Sequence, residues 1–127
     1  MKEGRGKFYY QEGMYEGGFR DDMFHGEGIL LLNEGQIIKG TWLYGELEGS
    51  AEVEWPSGQK FKGEFRRSMR EGEGTYYFGD GREWKGEWSN DQQNGFGLYQ
   101  DKIGSVLKGI WQLGVKKDDM RSPRMME

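Results

Sequence analysis

The stretch Phe61–Gly81, FKGEFRRSMREGEGTYYFGDG, combines frequent glycine with aromatic and charged side chains. Glycine-rich polar segments are usually flexible linkers, whereas aromatic residues usually mark a packed core. The first five residues of this stretch have relatives elsewhere in the chain, and these align without gaps. The motifs begin every 23 residues, at positions 15, 38, 61, 84 and 107. A fixed period of this kind indicates a structural repeat and not a disordered tract.

The composition of the chain excludes several classes of protein. Its 127 residues suit one domain, and an aromatic content of 15% is too high for a disordered polar chain. The formal net charge is −4, with acids and bases interspersed, which argues against nucleic acid as the main partner. Cysteine is absent, so disulfides and thiolate sites are excluded. Without a long apolar run, neither a transmembrane helix nor a signal peptide is expected.

Within each unit, bulky residues and glycines follow the two-residue period of a β-strand. Tyr15, Gly17 and Phe19 alternate with other residues, so their positions share one face of a strand. A second alternating run follows a glycine pair such as Gly72 and Gly74. A further glycine recurs in the turn signals between strands, at Gly35, Gly58, Gly81 and Gly104. Each unit is therefore predicted to be a β-hairpin.

The repeated hairpins predict an all-β fold, an elongated and twisted single-layer antiparallel meander of about ten strands. No amphipathic helix of ten or more residues is visible that could form a second layer. The array spans 1–114, with a partial unit at 4–13 and 23-residue units starting at 15, 38, 61, 84 and 107. Residues 115–127 are expected to be a tail or cap without a sixth hairpin, because the glycines stop and Pro123 cannot donate to a ladder.

The pairing of the strands can be predicted by placing Trp55 opposite Phe61. Val53 then faces Gly63, so that a large side chain meets a glycine across the ladder, and the same pattern recurs in other units. The first turn becomes a two-residue hairpin at Glu12-Gly13, and the later turns are one residue longer. We therefore expect rings to lie over the bare backbone of neighbouring strands.

The repeat resembles the MORN repeat (membrane occupation and recognition nexus). Its pattern has two aromatic residues flanking a glycine, then a polar loop and a G-x-G pair. The segments 15–28, 61–74 and 84–97 carry the pattern fully, and the resemblance extends over roughly 4–114. The unit at 38–51 departs with Ile38 for the first aromatic and Ala51 for the last glycine. The last unit departs too, because Asp118 and Met120 stand where its G-x-G glycines would fall.

The resemblance implies a scaffold or adaptor that is not an enzyme and that binds another protein. The segment GFRDDMFHG at 18–26 is similar to short stand-alone MORN proteins of cilia, flagella and the cytoskeleton. A cytoplasmic protein of the cytoskeleton or the axoneme of a cilium is therefore expected. The identity of the partner and the oligomeric state stay open.

An open one-layer sheet is expected to leave the rings of one face incompletely buried, and such patches usually mark interaction sites. They would form a trough with an apolar floor for an extended peptide or a single helix, with loops such as 66–70 as a polar rim. The candidate partner-binding residues are Tyr15, Phe19, Trp42, Phe61, Phe65, Trp84, Trp88 and Trp111.

Two other functions compete with a protein-binding scaffold. A column of lysines on the opposite face, Lys39, Lys62, Lys85 and Lys108, is a candidate site for anionic phospholipid. Acids share that face by parity (Glu52, Glu54, Glu64 and Glu87), so a solvated surface is the favoured interpretation. The second alternative is a regulatory subunit of a separate enzyme, because MORN repeats also occur fused to lipid kinases and a lysine methyltransferase. The chain starts at Met1 and is expected to have no room for a catalytic domain of its own.

No catalytic residue, cofactor or metal site is predicted. His25 stands where other units have Glu48, Glu71 and Asn94, which favours a polar loop position over catalysis. Gly4-x-Gly6 lacks the helix that a phosphate-binding loop needs. The acid pairs at 21–22 and 118–119 lack the spacing of a calcium loop.

Overall fold

The computed structural model describes residues 2–117, which form one sheet of eleven antiparallel strands in chain order. This confirms the predicted all-β meander, with one strand more than the ten expected. The strands are β1 (Gly4–Tyr10), β2 (Gly13–Arg20), β3 (Met23–Leu32), β4 (Ile37–Leu43), β5 (Glu46–Glu54), β6 (Lys60–Arg66), β7 (Met69–Tyr77), β8 (Glu83–Ser89), β9 (Gln92–Gln100), β10 (Val106–Gln112) and β11 (Val115–Lys116).

Two kinds of turn alternate along the chain. At one end of the strands lie two-residue turns in which both residues have positive φ, as in Asp21-Asp22 (51° and 64°) and Arg67-Ser68 (50° and 67°). This is the type I′ geometry, whose twist matches that of the flanking strands. The opposite end of the strands carries the two-residue turn Gln11-Glu12 between β1 and β2 and, in the later units, three-residue loops that end in a left-handed glycine, such as Gly58 at φ 98°. Each complete 23-residue repeat therefore contributes one turn of each kind.

The predicted register is wrong by two residues. Val53 pairs with Phe61 and not with Gly63, and the same shift recurs at the other hairpins of this kind. The reason is the position of the turn, because the loop glycine must take the left-handed last position and the loop therefore closes one residue earlier than predicted. The first turn likewise is the two residues Gln11-Glu12 and not Glu12-Gly13, although its length was predicted correctly.

The corrected register aligns one small residue from each of ten strands into a glycine row. Its members are direct cross-strand neighbours from β1 to β10: Gly6, Gly17, Gly28, Gly40, Ala51, Gly63, Gly74, Gly86, Gly97 and Gly109. In one flanking row large side chains pair with large ones, as Tyr76 does with Trp84. In the other row a ring such as Trp88 pairs with a second glycine, here Gly72. The rings still cover glycines, as predicted, but they reach the row from two residues along the strand.

The contacts at Gly74 show why the row excludes larger side chains. A Cβ atom there would lie 2.4 Å from Cζ of Phe61 and 3.3 Å from Cδ1 of Trp88. Gly72, the first member of the same G-x-G pair, lies beside a β-bulge and has φ 86°, which side chains rarely tolerate. Glycine is thus required at the two positions for different reasons. Gly72 has a positive φ, and Gly74 has no space for a side chain under the ring.

The beginning of the predicted tail differs from expectation. Val115 and Lys116 form the two-residue strand β11, which pairs with Gln112 and Trp111 of β10. A turn at Leu113-Gly114, with φ of 50° and 84°, makes this hairpin possible without the missing G-x-G glycines. The pairing covers part of the β10 edge, as a cap would. The rest of the predicted tail, 118–127, lies outside the described residues.

Candidate protein-interaction surface

The ring face of the sheet carries all eight side chains predicted to contact a partner, but they are buried. Their exposed fractions range from 0% for Tyr15 and Phe61 to 8% for Phe65. The expectation that a single layer leaves these rings open is therefore wrong. They pack edge-to-face on each other and cover the glycine row, which removes them from solvent without a second layer.

The rings form two clusters separated along the sheet. In the first, Tyr15 stacks on Phe24 with ring centroids 3.8 Å apart and meets Trp42 edge-to-face at 6.0 Å. In the second, Trp84 lies 5.2 Å from Trp88 and 5.1 Å from Trp111. Burial raises the pKa of Tyr15, and its neutral hydroxyl donates a hydrogen bond to the carbonyl of Gly18 at 3.0 Å. Both clusters are therefore parts of the core.

An aliphatic gap separates the two clusters at the second unit. Ile38 occupies the position of Tyr15, and Leu47 occupies that of Phe24, so the ring stack is interrupted. A groove of about 300 Å³ opens there on the ring face. Its apolar walls come from β3 to β6 and from the loop after β5, and they include Leu30, Ile38, Trp42, Leu47, Val53, Trp55 and Phe65. Trp55 and Ile38 are half-buried, so this groove offers apolar surface to a partner.

One side of the groove is fixed by Arg70 and Asp91. The Arg70 guanidinium donates to Oδ1 of Asp91 at 2.7 Å and to its carbonyl at 2.9 Å, and it lies 4.6 Å from the Trp88 ring centroid. Burial works to raise the pKa of Asp91, but the hydrogen bonds from Arg70 outweigh it, so the pKa lies below its ordinary value. The groove thus has an apolar floor and an ionised rim.

His25 connects neighbouring hairpins. Its Nδ1 accepts a hydrogen bond from the backbone N–H of Tyr44 at 3.3 Å. Glu71 accepts the equivalent bond from Asn90, as do Glu48 from Arg67 and Asn94 from Leu113. The predicted loop position is wrong, because His25 lies within strand β3. The structure gives the reason for a polar side chain there, which is an acceptor for the first N–H of the next type I′ turn.

A family model for the MORN repeat matches residues 1–14, 15–36, 39–60, 61–81 and 84–106. The chain belongs to the MORN-repeat family. No curated protein matched the chain at the threshold of the search. MORN repeats are non-enzymatic modules that generally bind proteins or membranes. The eight buried rings of this array occupy the aromatic positions of the repeat, which accounts for their role in the core.

The lysine column of the MORN sheet lies on the outer face, opposite the rings. Lys39 is the direct cross-strand neighbour of Glu52, and Glu52 is that of Lys62. Lys85 is flanked along its own strand by Glu83 and Glu87. Positive and negative charges therefore alternate around three of the four lysines, which weakens the attraction of this column for an anionic lipid surface.

Residues 2–117 of the MORN array contain no group of three or more His, Asp or Glu side chains that could hold a metal ion. In the same residues no helix is long and apolar enough to cross a membrane. Sequence reasoning missed the groove on the ring face. The signal was present in one departure of the second unit, Ile38 in place of an aromatic residue, which shortens a side chain on the ring face.

Proposed function

We propose that this chain is a non-enzymatic adaptor that holds a segment of another protein along the ring face of its MORN sheet. The observation that carries the proposal is the groove at the second unit, where the aromatic stack gives way to aliphatic walls beside the Arg70–Asp91 rim. Pockets of this kind accept one or two apolar side chains from an extended peptide or a helix. The resemblance to short stand-alone MORN proteins supports a place in a cytoskeletal or ciliary assembly.

The partner contacts in this proposal differ from the eight rings named from the sequence. A ring that is nearly fully buried stabilises the shape of the groove. The partner contacts Ile38 and Trp55 in the wall of the groove. Alanine at a buried ring such as Trp88 would disturb the core, because its indole also donates to the carbonyl of Gly74 at 3.2 Å. Tests of binding therefore belong at Trp55.

The experiment is affinity purification of the tagged protein from cells that express it, with quantitative mass spectrometry. We expect Trp55→Ser to deplete the bound partner at least about tenfold, as loss of an aromatic anchor does, with the circular dichroism spectrum unchanged. The control is the outer-face pair Lys62→Ala and Lys85→Ala, which should retain the partner. Loss of the partner in the lysine variant alone would overturn the proposal in favour of a lipid or acidic partner. Recovery of an enzyme would assign the adaptor to a catalytic complex.

A further inference from the structure

The outer face carries a partly exposed apolar stripe that the MORN pattern does not require. It consists of four direct cross-strand neighbours on β1 to β4: Tyr9, Met14, Leu31 and Ile37. Tyr9 is 69% exposed and Leu31 is 36% exposed. On β5 to β8 the same row continues as Glu54, Lys60, Tyr77 and Glu83, and Lys60 pairs there with Glu54 at 3.2 Å. The apolar stripe is therefore confined to one end of the sheet.

Beside the apolar stripe, strands β1 to β7 form a broad outer depression of about 1020 Å³. Its charged lining has five glutamates against three cations. Within residues 2–117, Glu16, Glu27, Glu64 and Glu73 take part in no ion pair. The surface next to the stripe is thus concave, and its lining carries two more acidic than basic side chains.

We propose that this outer surface binds a basic amphipathic helix of a partner protein. The apolar side of the helix lies on the stripe, and its lysine or arginine side chains reach the glutamates of the depression. Neighbouring members of the stripe lie on strands about 4.8 Å apart, which is close to the 5.4 Å rise of one turn of a bound helix. In a bound extended peptide, side chains on the same face would be about 6.7 Å apart. A helix therefore matches the stripe better than an extended peptide.

This second site goes beyond the proposed ring-face function, since it lies on the opposite side of a one-layer sheet. The two faces share no side chains, because successive residues of a strand point to opposite sides. An adaptor built in this way binds two partners at once across the thickness of the sheet.

The test uses fluorescence anisotropy with a labelled peptide of about 18 residues, made of leucine and lysine in helical periodicity, which forms a helix about 27 Å long. The control peptide has glutamate in place of lysine. We expect the lysine peptide to bind at least about tenfold more tightly, with binding weakened by salt. No binding of the lysine peptide, or equal binding of both peptides, would overturn the proposal.

Protein variants locate the binding surface. The exposed-position pair Tyr9→Ser and Leu31→Ser should weaken the lysine peptide at least about tenfold, whereas Tyr77→Ser, at the equivalent repeat position on β7, should leave it within about twofold. Glu16→Lys should also weaken it, and Glu83→Lys, with the same change of net charge, should not. Equal effects of test and control variants would refute this location.

Two further arms separate this site from other outcomes. Trp55→Ser on the ring face should leave peptide binding unchanged, so failure of the proposed function and failure of this site are distinguishable. Vesicles of phosphatidylserine and phosphatidylcholine should bind no better than vesicles of phosphatidylcholine alone. Anionic vesicles that bind and displace the peptide would replace the helix with a membrane surface as the ligand.

Discussion

Gly63 stands at a point where the backbones of neighbouring strands and an aromatic ring meet. A Cβ atom there would lie 2.6 Å from Cα of Gly74, 2.8 Å from the carbonyl oxygen of Glu73 and 2.8 Å from Cζ of Phe61. Two of these atoms belong to the backbone and cannot rotate away. The next residue, Glu64, is exposed on the outer face.

Replacing Gly63 should therefore be far more costly than replacing Glu64. We expect Gly63→Val to lower the free energy of unfolding by about 1–3 kcal/mol through overpacking. Glu64→Val should change it by about 0.5 kcal/mol or less, as surface substitutions usually do. Urea unfolding of both variants followed by tryptophan fluorescence measures the difference. Equal midpoints would contradict the packing of the glycine row.

The sequence assigned side chains such as Phe61 and Glu64 to the correct faces, because alternation along a strand depends only on parity. It did not predict that Phe61 is fully buried. That burial results from contacts with Phe65 and Trp88 on two strands, which a one-dimensional pattern does not contain. The groove was missed for the same reason. Ile38 is smaller than the ring at this position in other units, so it leaves space open between the neighbouring strands.

The strand connections set the pairing register, which was predicted from the sequence with an error of two residues. A shift of two keeps every side chain on its face, so hydrophobic alternation gives no warning of it. The deciding feature is the left-handed glycine at the end of each three-residue loop, as at Gly35 with φ 108°. Loop length alone was sufficient to predict the number of strands in each repeat, but it did not predict which residues pair.

The link between β7 and the turn after β8 should depend on pH through Asp91. Because Arg70 holds the folded-state pKa of Asp91 below its ordinary value, the ionised form stabilises the fold. This contribution is complete above about pH 4, the unfolded value, and is lost as pH falls through the lower folded pKa. It amounts to about 1 kcal/mol or less, since half of the Asp91 side chain is exposed.

Thermal melts between pH 7 and pH 2 measure this link in wild type and Asp91→Asn. We expect the wild type to lose more of its melting temperature below pH 4 than the variant does. Asp21→Asn serves as the control, because it removes a turn carboxylate that makes no ion pair within residues 2–117. An identical acid response of wild type and Asp91→Asn would contradict the assignment.

The whole sheet is a linear stack in which each strand pairs only with its neighbours along the chain. In such arrays the stability is close to a sum of unit and nearest-neighbour terms. Removing one complete unit, residues 61–83, joins Lys60 to Trp84, which occupies the position of Phe61 in the next repeat. The remaining strands keep their register and their alternating direction.

We therefore expect deletion of 61–83 to give a shorter folded sheet with a lower melting temperature. Deletion of 61–72, about half of the unit, removes one strand and reverses the direction of all that follow, so it should abolish the cooperative transition. Circular dichroism and thermal melts compare the two deletion variants. A cooperative transition in the half-unit deletion, or the loss of one in the whole-unit deletion, would contradict this prediction.

Neighbour-only pairing also determines how the protein can form during synthesis. Each strand meets its partner within about one repeat of chain, so the contact order is low and no strand waits for a distant one. At translation rates of about 5–20 residues per second, a 23-residue unit emerges in about 1–5 s, which is long compared with hairpin formation. The nascent chain can therefore add hairpins one at a time, and apart from the outer edge of β1 only the newest strand presents an unpaired edge to the crowded surroundings of the ribosome.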